Sequence, residues 1–454
     1  MRQSSGLSLI ILLVSLSAGS ADAQDYIDLT LDRAVEIALN QNRDIIQAKE
    51  ETARADFRIT EAASAAYPQV NGSWTFDKNL KPQVFVISFP DSAGRLQKNR
   101  LKIGTDHSLN IGANLTQPIW VGGKVGTALE AAKIYKKMSG ETFESVQQNV
   151  VTGVASGFYI ILLAHEMVGI TRESLELAEK HLDNVQVLHD AGAATDYDLL
   201  RARVHVANIK PDLLEAENNV KIAMLRFRDI LGIDPATPLT VSGALSEPDT
   251  TLFSLTDHET ALSKRPDFKA TEYNVDLQQK AVRIALGDFL PTITAGTTFA
   301  YSGMFDTFKY DAEDWNPYWY ANVSVTFPIF TGFRNYSLYK QAKVDYRKAQ
   351  TSLRKTRNSI VIEVDEGVMN LRNACKQIDS QSMNVREAEK AVQIAESLYA
   401  NGRATQLEVL DAQLALEVSK TNRANVLYEG KVAEISLKKS LGLLDVDNVK
   451  GNLQ

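Results

Sequence analysis

One cysteine, Cys375, stands alone among 454 residues, so no disulfide can form within the chain and its expected role is that of a small buried residue in a helix. Basic residues are outnumbered, 49 Lys and Arg against 56 Asp and Glu, for a formal charge of −7. That balance offers no basic surface to neutralise phosphates, which excludes nucleic acid as a partner. Beyond residue 23, no apolar run reaches the roughly 20 residues that a spanning helix needs. The nearest, Val150 to Ala164, is interrupted by Thr152, Gly153, Ser156 and Gly157 and predicts a helix-packing segment. If the mature chain enters a membrane, it does so with strands.

Catalytic signatures are missing too. His165 and Glu166 open a zinc-binding pattern, but Gly169 stands where the second ligand belongs. His181 and His189, eight apart, are expected to face solvent or a helix seam. No G-x-S-x-G element is present, and Gly122-Gly123-Lys124 lacks the spacing of a phosphate loop. No enzyme activity, metal or cofactor is expected.

What is present begins with an export signal. Arg2, an apolar run from Leu7 to Leu16, and Ala21-Asp22-Ala23 read as a signal peptide over 1–23, with Gln24 as the mature N-terminus. Removing Arg2 and Asp22 takes one charge of each sign and leaves the net charge at −7. No cysteine lies near this site, so an N-terminal lipid anchor is not expected.

An internal repeat fills most of the mature chain. The stretch from His189 through Gly192 and Thr195 to Leu200 recurs as Tyr399 through Gly402 and Thr405 to Leu410, an offset of 210 (402 − 192). The same offset relates Leu231-Gly232 to Leu441-Gly442 and Pro118-Ile119-Trp120 to Pro328-Ile329-Phe330. Upstream the offset is 223 (291 − 68), matching Pro68 to Pro291, Ala38-Leu39 to Ala261-Leu262 and Asp44 to Asp267. The first half is therefore 13 residues longer (223 − 210) between its paired prolines, and the excess marks a loop within about 78–102. The boundaries predicted are a first repeat over 24–233, a second over 234–443 and a tail over 444–454.

Each half reads as a helix, two strands and two long helices. Strands are predicted at about 69–77, 108–119, 291–302 and 318–330. Val70, Trp74 and Phe76 alternate with Asn71, Ser73 and Thr75, and Ala321, Val323 and Val325 with Asn322, Ser324 and Thr326. Period-2 alternation sets one face in an apolar medium and the other in a polar one. The polar set is small and uncharged, as suits a watery lumen. Trp120, Tyr301, Trp315, Tyr318, Trp319 and Tyr320 gather near strand ends as in an interfacial girdle. Four strands cannot close a barrel, and an open edge in lipid leaves backbone groups unpaired, so oligomerisation must complete it. A trimer gives 12 strands (3 × 4) and a dimer eight (2 × 4); both satisfy the rule.

From Lys124 to about Asp190 nothing breaks helical patterning, which implies about 100 Å of helix. The return helix carries a 3-4 seam, Leu199, Ala202, Val206, Ile209, Leu213, Ala216, Val220, Ala223, Phe227 and Ile230. The second half repeats it in Tyr339, Ala342, Tyr346, Ala349, Leu353, Thr356 and Ile360. Pro211 inside the first seam predicts a kink. Gly192 and Gly402 end helices three residues before Thr195 and Thr405, which can cap the next ones.

The ordered set of proline-bounded strand pairs, Gly122 and Gly332, the two glycine tips and the closing Leu-Gly resembles the TolC-type outer-membrane efflux proteins, over about residues 26–444. The stretch Tyr399-Ala400-Asn401-Gly402-Arg403-Ala404-Thr405 followed by Glu408 and Asp411 is especially similar to the family's second tip. The resemblance implies a mixed α and membrane-β fold: a homotrimer with a 12-stranded barrel in outer-membrane lipid, a periplasmic α-barrel of coiled-coil helices and a small equatorial region. It implies a passive conduit in the outer membrane of a Gram-negative bacterium, serving a tripartite efflux pump or type I secretion. The partners implied are a periplasmic adaptor (a membrane fusion protein) and, through it, an inner-membrane pump of RND, ABC or MFS type.

By the same resemblance, Ala191, Gly192, Ala193, Asn401, Gly402 and Arg403 form the adaptor-docking tips. Glu408, Asp411, Asp198 and Tyr399 form an entrance gate, with Tyr399 hydrogen-bonded to the carboxylates. Glu408 and Asp411 are three apart and share one helix face. The rival readings are a soluble periplasmic coiled-coil scaffold and an adaptor subunit; neither accounts for two full repeats with four amphipathic strands.

Overall fold

A computed structural model describes residues 27–90, 92, 94–254, 257–307, 313 and 315–444. The expected leader and the mature N-terminus at Gln24 lie outside the described residues, as does the tail beyond 444. The first half runs β1 (Ile27–Leu29), α1 (Leu31–Gln41), α2 (Arg43–Ser64), β2 (Gln69–Lys78), β3 (Val84–Pro90), β4 (Leu96–Lys102), β5 (His107–Val121), α3 (Lys124–Asp190) and α4 (Asp196–Leu231). The second runs β6 (Leu239–Val241), a short 3-10 turn, α5 (His258–Lys264), α6 (Pro266–Gly287), β7 (Thr292–Phe305), β8 (Trp315–Thr326), α7 (Arg334–Ala400) and α8 (Gln406–Ser440). The long helices α3 and α7 have 67 residues each.

Where one leading helix was expected in each half there are two, broken at equivalent positions (265 − 42 = 223). The Asn42 side chain accepts from the amides of Asp44 (2.8 Å) and Ile45 (3.3 Å) and so caps α2, while its amide donates to the carbonyl of Ile230 at 2.8 Å. Arg265 precedes Pro266, whose ring disfavours helical geometry in the residue before it. Its buried guanidinium is held by Asp267 and Glu363, each at 2.6 Å.

The sheet is antiparallel in the order β2-β5-β7-β8. Across it Trp74 opposes Ile111, which opposes Tyr301, and Phe299 opposes Trp319. These residues share the apolar face, where Trp319 (76% exposed) and Val323 (72%) present most of their surface outward, the Trp319 indole donating to the Thr297 hydroxyl at 2.7 Å. The other face carries Asn110 opposite Thr75 and Ser302, and Asn114 opposite Asn71 and Thr298. A bulge between Pro118 and Trp120 adds one residue to β5 and flips its parity, so that Trp120 pairs with Ile293 on the apolar face.

Two expectations need correction here. Tyr318 and Tyr320 pair with Ala300 and Thr298 and stack on each other at 6.3 Å, on the polar face with Asn322 and Ser324. They line the polar side and do not belong to a lipid-facing girdle. The last strand was expected over 318–330, but β8 starts at Trp315 and stops at Thr326, because Pro328 has no amide to continue the ladder. The extra 13 residues fall within the ribbon β3–β4, at the end of the sheet remote from the long helices.

Below the sheet the helices form one layer. α2, α3, α6 and α7 pack side by side near the sheet, and α4, α3, α8 and α7 farther down. The first predicted seam is buried at its tip-side members Leu199, Ala202, Val206 and Ile209 and again at Phe227, and half-buried at its members from Leu213 to Ala223. The second is buried at Ala349 and Ile360 and half-buried at its other members, and α4 continues as helix through Pro211. One helix among the described residues, α3, is long and apolar enough to cross a bilayer. The segment expected to pack does so, with Val150, Val154, Phe158, Ile161 and Leu162 buried against Leu29, Val35, Phe227 and Leu239. β1 and β6 pair in parallel beside this core, joining the N-terminal and inter-repeat segments into a collar midway along the helices. Cys375, half-buried in α7, packs against the Val364–Leu371–Leu437 cluster.

Candidate functional site

The far ends of the helices are built alike. At the first tip Gly192 takes φ of +68°, its amide bonds the carbonyl of His189 (2.8 Å), and the amide of Ala193 bonds that of Leu188 (2.8 Å). At the second, Gly402 takes φ of +67°, its amide bonds Tyr399 (2.9 Å), and the amide of Arg403 bonds Leu398 (2.8 Å). Both are Schellman turns, which satisfy the last carbonyls of a helix and need a left-handed residue at the corner. No neighbour lies within 4 Å of where a β-carbon would stand on either glycine, so both corners are open to a partner. Ala191, Ala193, Asn401 and Arg403 flank these corners, and Asn401 donates back to the carbonyl of Ser397 at 2.6 Å.

Each return helix starts with a reciprocal capping box. The Thr195 hydroxyl accepts from the Asp198 amide (3.2 Å), and the Asp198 carboxylate accepts from the Thr195 amide (3.1 Å). Glu408 does the same for Thr405, taking its amide at 2.6 Å and its hydroxyl at 3.0 Å. The T-x-x-D/E signature was present in the sequence and carries this role directly. The Thr405 amide, followed by its hydroxyl, holds the Glu408 carboxyl below its ordinary pKa. Glu408 and Asp411 are both exposed at the start of α8 beside fully buried Val409.

Tyr399 does not join the carboxylates. Among the described residues its hydroxyl has no hydrogen bond to Glu408, Asp411 or Asp198; its ring packs on Val185, Leu199 and Ala202 and lies 5.2 Å from that of His181. An apolar pocket competes successfully for the ring. Sequence reasoning also passed over Gln406, buried at the second tip, whose amide reaches across to the carbonyl of Asp198 at 2.9 Å. Lys420 grips Glu173 of α3 at 2.7 Å farther up. These contacts tie the two hairpins together near their tips. At the first tip the residue equivalent to Gln406 is Asp196, which instead accepts from His189 at 2.8 Å.

A four-stranded amphipathic sheet with open edges, set on a layer of helices about 100 Å long with paired turns at its end, is the protomer of a membrane-spanning conduit. The chain belongs to the outer membrane efflux protein family, which it matches over residues 34–233 and 258–443. It is similar to the probable outer membrane lipoprotein SilC of Salmonella typhimurium, 25% identical with 92% of this chain and 86% of the relative covered. It is also similar to the cation efflux system protein CusC of Escherichia coli strain K12, 23% identical over 92% and 87%. The solved Campylobacter jejuni CmeC outer membrane channel shares the fold with a TM-score of 0.75 at 18% identity, covering 99% of this chain and 97% of that one. The chain is thus an efflux-channel component of the Gram-negative outer membrane, a transport conduit with its helical part in the periplasm.

Proposed function

We propose that three copies form one passive duct, closing a 12-stranded barrel in the outer membrane over a shared helical tube. The observation that carries this is the pair of open edges: among the described residues, β2 and β8 bound the sheet with no partner on their outer sides. In lipid those amides and carbonyls must be paired, and another copy supplies the strand. Channels of this family are trimeric and work with adaptors and inner-membrane pumps. The helix layer has matching edges. α4 exposes Tyr197, Leu200, Val204, Leu214 and Leu225, and α7 exposes Ile362, Met369 and Met383. Both are second apolar stripes at near-heptad spacing that a neighbouring copy would cover.

On this reading the open corners at Gly192 and Gly402, with Ala191, Ala193, Asn401 and Arg403, dock a periplasmic adaptor that leads to an inner-membrane pump. Glu408 and Asp411 of three copies ring the entrance with six carboxylates (3 × 2) and favour cations; Asp198 adds a third from the first tip. The mass of the detergent-solubilised particle, three protomers as expected, tests assembly, and a stable dimer overturns it. Gly402→Trp tests docking: trimers should persist in the outer membrane while efflux is lost, and intact efflux rules the corner out as a docking point.

A further inference from the structure

His181 of α3 is 3% exposed, and its Nε2 makes no hydrogen bond to the protein. It lies 11 residues (192 − 181) above the first tip, about 16 Å along the helix. The Tyr399 ring of α7 leans on it at 5.2 Å with a 52° tilt. This is where the first hairpin meets the second, between the Gln406–Asp198 and Lys420–Glu173 bridges. A neutral imidazole can be stored there as a flat, mostly apolar plate. An imidazolium cannot, because a buried cation needs an acceptor or water.

The groups facing it offer no anion. From α4 comes His205, itself half-buried; from α7 comes Tyr399, whose hydroxyl feels Asp198. His205 has Glu417 of α8 and Arg201 as its own charged neighbours. The 210-residue equivalents of the two histidines are Ala391 and Ala415, so only the first hairpin carries this pair.

We propose that His181 is an acid-responsive latch on the periplasmic end of the tube: neutral, it seats Tyr399 and keeps the hairpins together, and protonated, it drives them apart. The proposal rests on the reading of the tips as the channel entrance. Burial pushes the His181 pKa down from 6.5 to about 4, and burial lowers that of His205 as well. A group depressed in the closed form favours that form fully above its free pKa. The preference is then lost as pH falls from about 6.5 towards about 4. At pH 5 the open-to-closed ratio rises by at most about thirtyfold per protomer, if opening returns the ring to water.

Trimers in planar bilayers, acidified on the periplasmic side from about pH 7.5 to about 5, test the latch on both sides of the free imidazole value. Wild type should gain open probability severalfold. His181→Phe, which keeps the plate and loses the proton site, should keep the neutral-pH behaviour and lose the acid gain. The same titration in Glu408→Gln/Asp411→Asn should retain the gain. A wild-type channel indifferent to acid overturns the latch, as does a gain that survives in His181→Phe. A gain lost only in the carboxylate variant assigns the response to those residues and also overturns it. If the carboxylate variant leaves conductance and selectivity untouched at neutral pH, the entrance reading fails independently of the latch.

Discussion

Gly232 rests on the carbonyl of Gln41 so closely that a β-carbon would come within 2.3 Å of its oxygen. Its equivalent, Gly442, meets Lys264 and Arg265 in the same way, with 2.7 Å to the Lys264 Cβ. Each half thus closes by pressing its final turn into the break between its two leading helices. Both glycines also hold left-handed backbone, at φ of +77° and +66°. Gly232→Ala should cost about 2–4 kcal/mol from strain and overlap together, seen as a lower melting midpoint of the purified trimer. Gly402→Ala meets open space and should cost only about 1 kcal/mol. Equal losses in the two variants would refute the packing argument.

Capping and gating make separable demands on Glu408. Glutamine can complete a capping box, so Glu408→Gln should leave helix α8 intact while removing charge from the entrance. Thr405→Ala removes the cap itself and should cost about 1 kcal/mol with the charge retained. Cation selectivity in single-channel recordings should drop in the first variant, and thermal stability in the second. Selectivity unchanged in Glu408→Gln/Asp411→Asn would leave the carboxylates with no role beyond the cap and the surface.

His189 gives the first tip a titrating clasp that the second lacks. Hydrogen bonds to Asp196 and then Asp190 hold its pKa above the ordinary value. The clasp therefore strengthens the turn fully below about 6.5 and is lost as pH rises through the raised value. Amide exchange over 188–196, corrected for intrinsic rates, should show more protection at acid than at alkaline pH. His189→Tyr, which copies the second tip, should abolish the difference.

The ribbon β3–β4 should stand outside the cell, since it caps the sheet end opposite the helices. Ser92→Cys in a Cys375→Ser background should react with an impermeant thiol reagent on intact cells. Labelling seen only after the outer membrane is opened would place the ribbon on the periplasmic side.

The sequence announced the long elements because each is fixed by a period repeated many times over. Ten seam positions from Leu199 to Ile230 leave little choice of helix face, and the strands alternate almost without fault. Features set by one residue were harder to read. A bulge at Pro118/Trp120 reverses which side Trp120 faces, and no periodicity marks it in advance. Tyr318 and Tyr320 looked like interfacial anchors by composition, yet parity counted from Trp319 puts them on the other face. Asn42 breaks its helix by side-chain capping, a local competition that an amphipathic pattern passes over. At the tip, Asp198 and Glu408 carried a visible capping signature. The burial of His181 and Gln406 depends on contacts between hairpins, and the partners stand 218 (399 − 181) and 208 (406 − 198) residues apart, beyond any local window.

The equal span of α3 and α7, 67 residues each, acts as a matched pair of rulers. Deleting one residue from either would lift its tip by about 1.5 Å and turn it by about 100°. That corner would then shift and turn relative to the other. A length change that keeps both tips level and facing as before needs both rulers and their return helices to change together, most simply by whole heptads. Each heptad added to both would carry the tips about 10 Å farther from the sheet.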